Sequence, residues 1–102
     1  MLKVEKRNGM IVDFDGDKIV KAVSKAMAET EEGVDEEVAR DIARKAFEHF
    51  SSSNMEIVNI EDIQDFVEIE LMKVKPEVAK KYILYRDERA RLRKHGWPMT
   101  DL

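Results

Sequence analysis

The chain has 102 residues, of which 43% are hydrophobic and 39% charged, with a net charge of −4 and no cysteine. That is enough for one domain with its own core and not comfortably for two. The missing cysteine excludes disulfides, thiolate metal sites and cysteine nucleophiles, the acidic balance argues against a surface given over to nucleic acid, and no apolar run approaches the ~20 residues of a membrane span. The opening MLKVEKRNG holds no apolar signal core, so the chain reads as cytoplasmic and soluble.

Leu2 and Val4 alternate with Lys3 and Glu5, and Asn8-Gly9 follows at once. Asn-Gly is the strongest short hairpin signal, since both residues accept the positive φ of a type I′ turn. Met10 to Phe14 supplies the returning strand. The first strand is expected to carry Lys6 and Arg7 to the turn on opposite faces of the ribbon. Asp15 or Asp17 then caps a helix with Ile19, Val23, Ala26 and Met27 at helical spacing. The acidic run Glu29 to Glu32 and Gly33 break it, and Asp35 caps a second helix bearing Val38, Ile42, Ala46 and Phe47 and ending near Phe50.

After the loop Ser51 to Asn54, the segment Met55 to Ile60 predicts a short third strand. Asn59 or Ile60 opens a third helix, with Asp62 three residues past Asn59 as a capping-box variant. Ile63, Phe66, Val67, Ile69 and Leu71 load that helix. Pro76 starts a fourth helix carrying Val78, Ala79, Tyr82, Ile83 and Tyr85 to about Lys94, where His95-Gly96 closes it. The class is α+β, mainly α: a four-helix bundle capped by a small three-stranded sheet. Residues 1–95 form the domain, and 96–102, with Trp97 and Met99, are a docking tail or the start of a further domain.

Much chemistry is absent. His49 and His95 lie far apart, HExxH does not occur, and four glycines form neither GxxxxGK[ST] nor GxGxxG. A bound phosphate would therefore depend on cationic side chains. The 22 carboxylates lie on helices rich in Lys and Arg and read as solvated faces and i,i+4 pairs rather than as a catalytic pair.

Lys6, Arg7 and Lys18 gather near the positive end of the first helix, with Val4, Val12, Ile19, Ile60 and Ile63 around them. Cations facing branched aliphatics suit a nucleotide. The same lysine and arginine also read as hairpin-edge charges that discourage strand pairing, with Lys18 a plain surface lysine. Arg86, Arg89, Arg91, Arg93 and Lys94 complement the dipole at the end of the fourth helix; Arg86 and Arg89 would reach a phosphate if that helix ends near the hairpin. Tyr82 and Tyr85 read as bundle core rather than as a base-stacking platform. Spacing alone leaves these readings open.

Three ordered motifs go further. Val4-x-Lys6-Arg7-x-Gly9-x-x-Val12-x-Phe14-Asp15-x-x-Lys18-Ile19 resembles the opening signature of the ATP-cone domain. Ile60-Glu61-Asp62-Ile63-Gln64-Asp65-x-Val67-Glu68 resembles its third-helix motif, and Ala79-x-x-Tyr82-Ile83-x-Tyr85-Arg86-x-x-Arg89 its closing helix. The resemblance covers about Leu2 to Arg93. It implies a four-helix bundle under a three-stranded sheet that binds ATP or dATP, with Mg²⁺, and sets the overall activity of a ribonucleotide reductase. Residue by residue, it implies that Lys6 and Arg7 hold phosphates and that Lys18 lies at the phosphates or ribose. Val4, Val12 and Ile19, with Ile60, Ile63 and Gln64, line the nucleotide, and Arg89 is a further phosphate ligand. Asn8 stands where the family commonly has Asp, and Gln64 where some members have His.

The reductase reaction runs through cysteines, by the same resemblance, so this chain is expected to be a regulatory domain and not an enzyme, either part of a larger reductase or a stand-alone cone. Its implied partners are the nucleotide, a reductase catalytic domain and further copies of itself; membrane and nucleic acid are not among them. Two other functions remain: a nucleotide-dependent transcriptional regulator using Arg86 to Lys94 as a basic helix, and a helical interaction domain that has lost its ligand.

Overall fold

The structure, a computed structural model, describes residues 2–94, with side chains described through residue 92. In chain order the elements are β1 (Lys3–Glu5), β2 (Ile11–Asp13), α1 (Gly16–Ala28), α2 (Glu36–Ser51), β3 (Ile57–Asn59), α3 (Ile60–Val74) and α4 (Pro76–Lys94). The described residues thus form the expected α+β arrangement of four helices and a three-stranded sheet. His95-Gly96 and the segment 97–102 lie outside the described residues, as do the side chains of Arg93 and Lys94.

Short polar side chains take up the orphan amides at the helix starts. The Asp15 carboxylate accepts from the Asp17 N–H at 3.0 Å, Asp35 from the Val38 N–H at 3.3 Å, and Asn59 from the Glu61 N–H at 2.8 Å. Pro76 stands first in α4, where a missing N–H costs nothing.

The strand order is β2-β1-β3, with β1 antiparallel to β2 and parallel to β3. Val4 lies opposite both Val12 and Val58, and the period-2 alternation turns this row toward the helices. Val4 and Val58 are buried and Val12 half-buried. They join one core with Val23 and Met27 of α1, Ala39 and Ile42 of α2, Ile63, Val67 and Leu71 of α3, and Val78, Ala79 and Tyr82 of α4. The parallel register pairs Glu5 with Asn59, so the hairpin turn and the first turn of α3 leave the sheet side by side.

Four expectations need correction. The hairpin does not close on a two-residue type I′ turn. The Gly9 N–H donates to the Lys6 carbonyl at 2.9 Å and the Lys6 N–H to the Met10 carbonyl at 2.8 Å, enclosing three residues, Arg7-Asn8-Gly9. Of these only Gly9 takes a positive φ, 87°, while Asn8 uses its Oδ1 to accept from the Met10 N–H at 3.0 Å. One extra loop residue confines the left-handed conformation to glycine. Second, β1 stops at Glu5, so Lys6 and Arg7 belong to the turn rather than to opposite faces of a strand. Third, Phe47 is 45% exposed and reaches only the flank of the core, its ring 5.4 Å from that of Phe14. Fourth, Ile69 is 52% exposed. It lies two residues from both Val67 and Leu71, on the far side of the helix from the Ile63-Val67-Leu71 stripe.

Candidate functional site

The site forms where the hairpin turn, the start of α1, the start of α3 and the second half of α4 meet. Two adjoining cavities open there, of about 580 and 400 Å³ with their mouths included. The larger is lined by Arg7, Lys18, Ile19, Ala22, Ile60, Ile63, Gln64, Tyr82, Tyr85, Arg86 and Arg89. The smaller is lined by Val4, Lys6, Val12, Asp13, Phe14, Asp15, Lys18, Ile19, Ile60 and Ile63. Lys18, Ile19, Ile60 and Ile63 belong to both. All ten residues singled out in the sequence (Val4, Lys6, Arg7, Val12, Lys18, Ile19, Ile60, Ile63, Gln64 and Arg89) therefore border one composite cleft.

Local structure explains the convergence. The three-residue turn lets Lys6 face the smaller cavity and Arg7 the larger. The Asp15 cap starts α1 so that Lys18 falls in its first turn, exposed at the mouth, with Ile19 turned inward. The Asn59 cap does the same for Ile60 and Ile63. The polar second half of α4 brings Tyr85, Arg86 and Arg89 to the cleft.

Among the residues lining the larger cavity are four cations and no carboxylate. Two of the four, Arg7 and Arg86, pair with carboxylates outside that lining. Arg7 donates from Nε to Glu61 Oε1 at 2.7 Å and from Nη2 to Gln64 Oε1 at 2.8 Å. Arg86 donates from Nη2 to Glu61 Oε2 at 2.8 Å, and from Nη1 to Asp65 at 3.0 Å and Glu68 at 2.6 Å. Glu61 therefore bridges an arginine of the hairpin and an arginine of α4.

Burial alone would raise the Glu61 pKa, but the hydrogen bond from Arg86 and the charges of Arg7 and Arg86 outweigh it and hold the carboxyl below its usual range. Burial would likewise lower the Arg86 pKa, and the carboxylates of Asp65, Glu68 and Glu61 raise it instead. Arg89 donates to the Tyr85 hydroxyl at 3.1 Å, its guanidinium 5.5 Å from the ring centroid. Tyr82 is buried as expected of bundle core, whereas Tyr85 is half-buried and lines the cleft together with Arg89.

Sequence reasoning missed Glu61 as a site residue, and considered Arg86 as a helix-dipole partner or a phosphate ligand rather than as the partner of three carboxylates. The signal was present: Glu61, Asp65 and Glu68 stand at i, i+4 and i+7, on one face of a helix. Among the described residues no group of three or more His, Asp or Glu is placed to hold a metal ion. Chemically the cleft offers cations for a multiply charged anion, and aliphatic and aromatic surface for an attached apolar or flat group.

The sequence profile of the ATP cone domain matches residues 2–91. The chain is 37% identical over 97 residues to the vitamin B12-dependent ribonucleoside-diphosphate reductase of Thermoplasma acidophilum, an alignment covering 89% of the chain and 12% of that protein. It is 30% identical over 111 residues to ribonucleoside-diphosphate reductase subunit alpha of Chlamydia trachomatis, covering 92% of the chain and 10% of the subunit. The corresponding subunit of Chlamydia pneumoniae is 34% identical over 98 residues, covering 84% of the chain and 9% of the subunit. The chain spans only about a tenth of these relatives' length.

Proposed function

The chain belongs to the ATP cone domain family, and we propose on that premise that it binds ATP or dATP in the composite cleft and regulates a ribonucleotide reductase allosterically. The observation that carries this reading is the convergence of Lys6, Arg7, Lys18 and Arg89 with Val4, Val12, Ile19, Ile60 and Ile63, from the hairpin and three helices, on one cleft. Lys6 and Arg7 hold phosphates, Lys18 lies at the phosphates or ribose, and Arg89 adds a cation on the α4 side. The aliphatic residues and Gln64 border the nucleoside. Mg²⁺ accompanies the triphosphate and is held chiefly by phosphate oxygens and water, with Asp13 and Asp15 the carboxylates that line the smaller cavity.

The role we assign is regulatory, resting on the family and on the match of the chain to about a tenth of much longer reductase chains. Its partner is the catalytic part of a reductase, in line with the relatives named above. A DNA-reading role for α4 has less behind it, because Arg86 is taken up by three carboxylates and Arg91 pairs with Asp87 at 3.4 Å.

ATP and dATP differ by one 2′-hydroxyl. A single neutral hydrogen bond is worth about 0.5–1.5 kcal/mol, so their affinities should differ by about 2–10-fold. The domain then responds to both nucleotides and passes on the difference through the shape it presents to its partner, a coupling of about 1–3 kcal/mol in typical cases. Calorimetric titration with each nucleotide, with Mg²⁺ and with EDTA, tests this. Binding of both in the micromolar range within that ratio is expected. A folded chain that binds neither nucleotide refutes the proposal.

A further inference from the structure

Arg7 is the cation that the nucleotide reading sends to the phosphates, yet its Nε–H is directed at Glu61, 2.7 Å away. Both sides of this contact are constrained. The Arg7 side chain is 19% exposed, and the second oxygen of Glu61 is held by Arg86, itself 18% exposed. Glu61 cannot follow Arg7 freely, because the Asn59 cap and the Arg86 hydrogen bond fix where α3 presents its carboxylate. A phosphate oxygen that engages the Nε edge of Arg7 needs the donor that Glu61 uses.

We infer that Glu61 competes with the ligand's phosphates for Arg7 and thereby sets both the affinity of the cleft and its preference for highly charged ligands. The inference rests on the nucleotide reading above and goes beyond it, since it assigns a role to a residue that is not among those lining either cavity. Two consequences follow from the geometry. The competition weakens binding in proportion to how much of the ligand's affinity comes from charge at Arg7, so it discriminates against weakly charged ligands less than it restrains a triphosphate. The carboxylate released from Arg7 remains on Arg86, which also holds Asp65 and Glu68, so occupancy at the hairpin is felt at the α3–α4 seam.

The test uses the full chain and its Glu61→Gln and Asp65→Asn variants, titrated by calorimetry with ATP and with adenosine. Gln keeps the shape of Glu61 and removes its charge. Asp65→Asn removes one charge from the same cluster without touching the Arg7 contact. ATP should bind Glu61→Gln about 3–10-fold more tightly than wild type, with adenosine affinity and Asp65→Asn each changed by less than about twofold. Unchanged or weaker ATP binding in Glu61→Gln overturns the inference, as does an equal gain for adenosine, which marks a loosened cleft, or an equal gain in Asp65→Asn, which marks a diffuse field effect. A wild-type measurement guards against a variant that folds poorly: on ATP addition the Arg7 Nε–H resonance should move away from its Glu61-bonded position. ATP binding that leaves this resonance in place also overturns the inference. Wild type that binds no ATP removes the nucleotide reading and the competition together, an outcome distinct from all the others.

Discussion

Tyr82 forms part of the wall of the larger cavity while belonging to the bundle core, and it is only 5% exposed. Burial is the main reason its phenol pKa is pushed up to about 12, with the positive charge of Arg86 pulling the other way and Glu68 adding to the rise. In the unfolded chain the phenol titrates near 10. Between these two values the unfolded chain loses a proton that the folded chain keeps, so stability is full below pH ~10 and falls as pH climbs toward the folded pKa. At about pH 11 this single group should cost about 1.4 kcal/mol relative to neutral pH. Urea unfolding of wild type and Tyr82→Phe near neutrality and near pH 11 measures it, because the variant lacks that part of the decline. Parallel alkaline losses in the two proteins would assign the decline to other groups.

At the scale of elements, α3 and α4 are joined by Arg86 as well as by the Val67, Leu71, Val78 and Ala79 core. Its fork meets three carboxylates at once, a geometry that a lysine ammonium cannot reproduce. Arg86→Ala takes from Asp65 and the half-buried Glu68 the counter-charge they share and leaves Glu61 with Arg7 alone, so it should destabilise the chain by about 1–3 kcal/mol. Arg86→Lys should recover only part of that loss. Chemical denaturation of the three proteins decides it; wild-type stability in Arg86→Ala would show the cluster to be an ordinary surface network.

The same elements show why some features were legible in the sequence and others were not. Helix starts were readable because capping is local: Asp15, Asp35 and Asn59 act within three residues of themselves. The turn was misread because its loop length, unlike its Asn-Gly composition, is set by where the strands end. Phe47 and Ile69 were placed in the core because composition favours it, and their actual positions at the margin of one stripe and opposite another depend on where neighbouring helices lie. Glu61 escaped notice for a similar reason. An acidic residue in a first helical turn looks like a plain dipole partner until α4 is known to bring Arg86 against it. The ten residues taken for the cleft were found by resemblance more than by spacing, which on its own left Lys6, Arg7 and Lys18 more readily read as surface charge.

For the whole molecule, the register between β1 and β3 governs the arrangement. It sets the hairpin turn beside the first turn of α3, and the length of α4 carries Arg86 and Arg89 back to the same corner. At the joint between α3 and α4, Lys75 pairs with Glu32 of the loop after α1 at 2.9 Å. Four segments distant in sequence thus meet at one end of a bundle whose helices are also tied at a second point. A ligand that draws on the hairpin, α1, α3 and α4 together gains differential contact with their relative placement, which is the physical requirement for an allosteric effector.

The most direct test of that claim is calorimetric titration of wild type and Lys6→Ala/Arg7→Ala with ATP and Mg²⁺, with thermal unfolding recorded for both. The expected result is micromolar or tighter binding by wild type and a loss of at least about 100-fold in the double variant, from two charged contacts of about 1.5–3 kcal/mol each, with the fold retained. Equal ATP affinity in the two proteins, or no binding by folded wild type, would contradict the account.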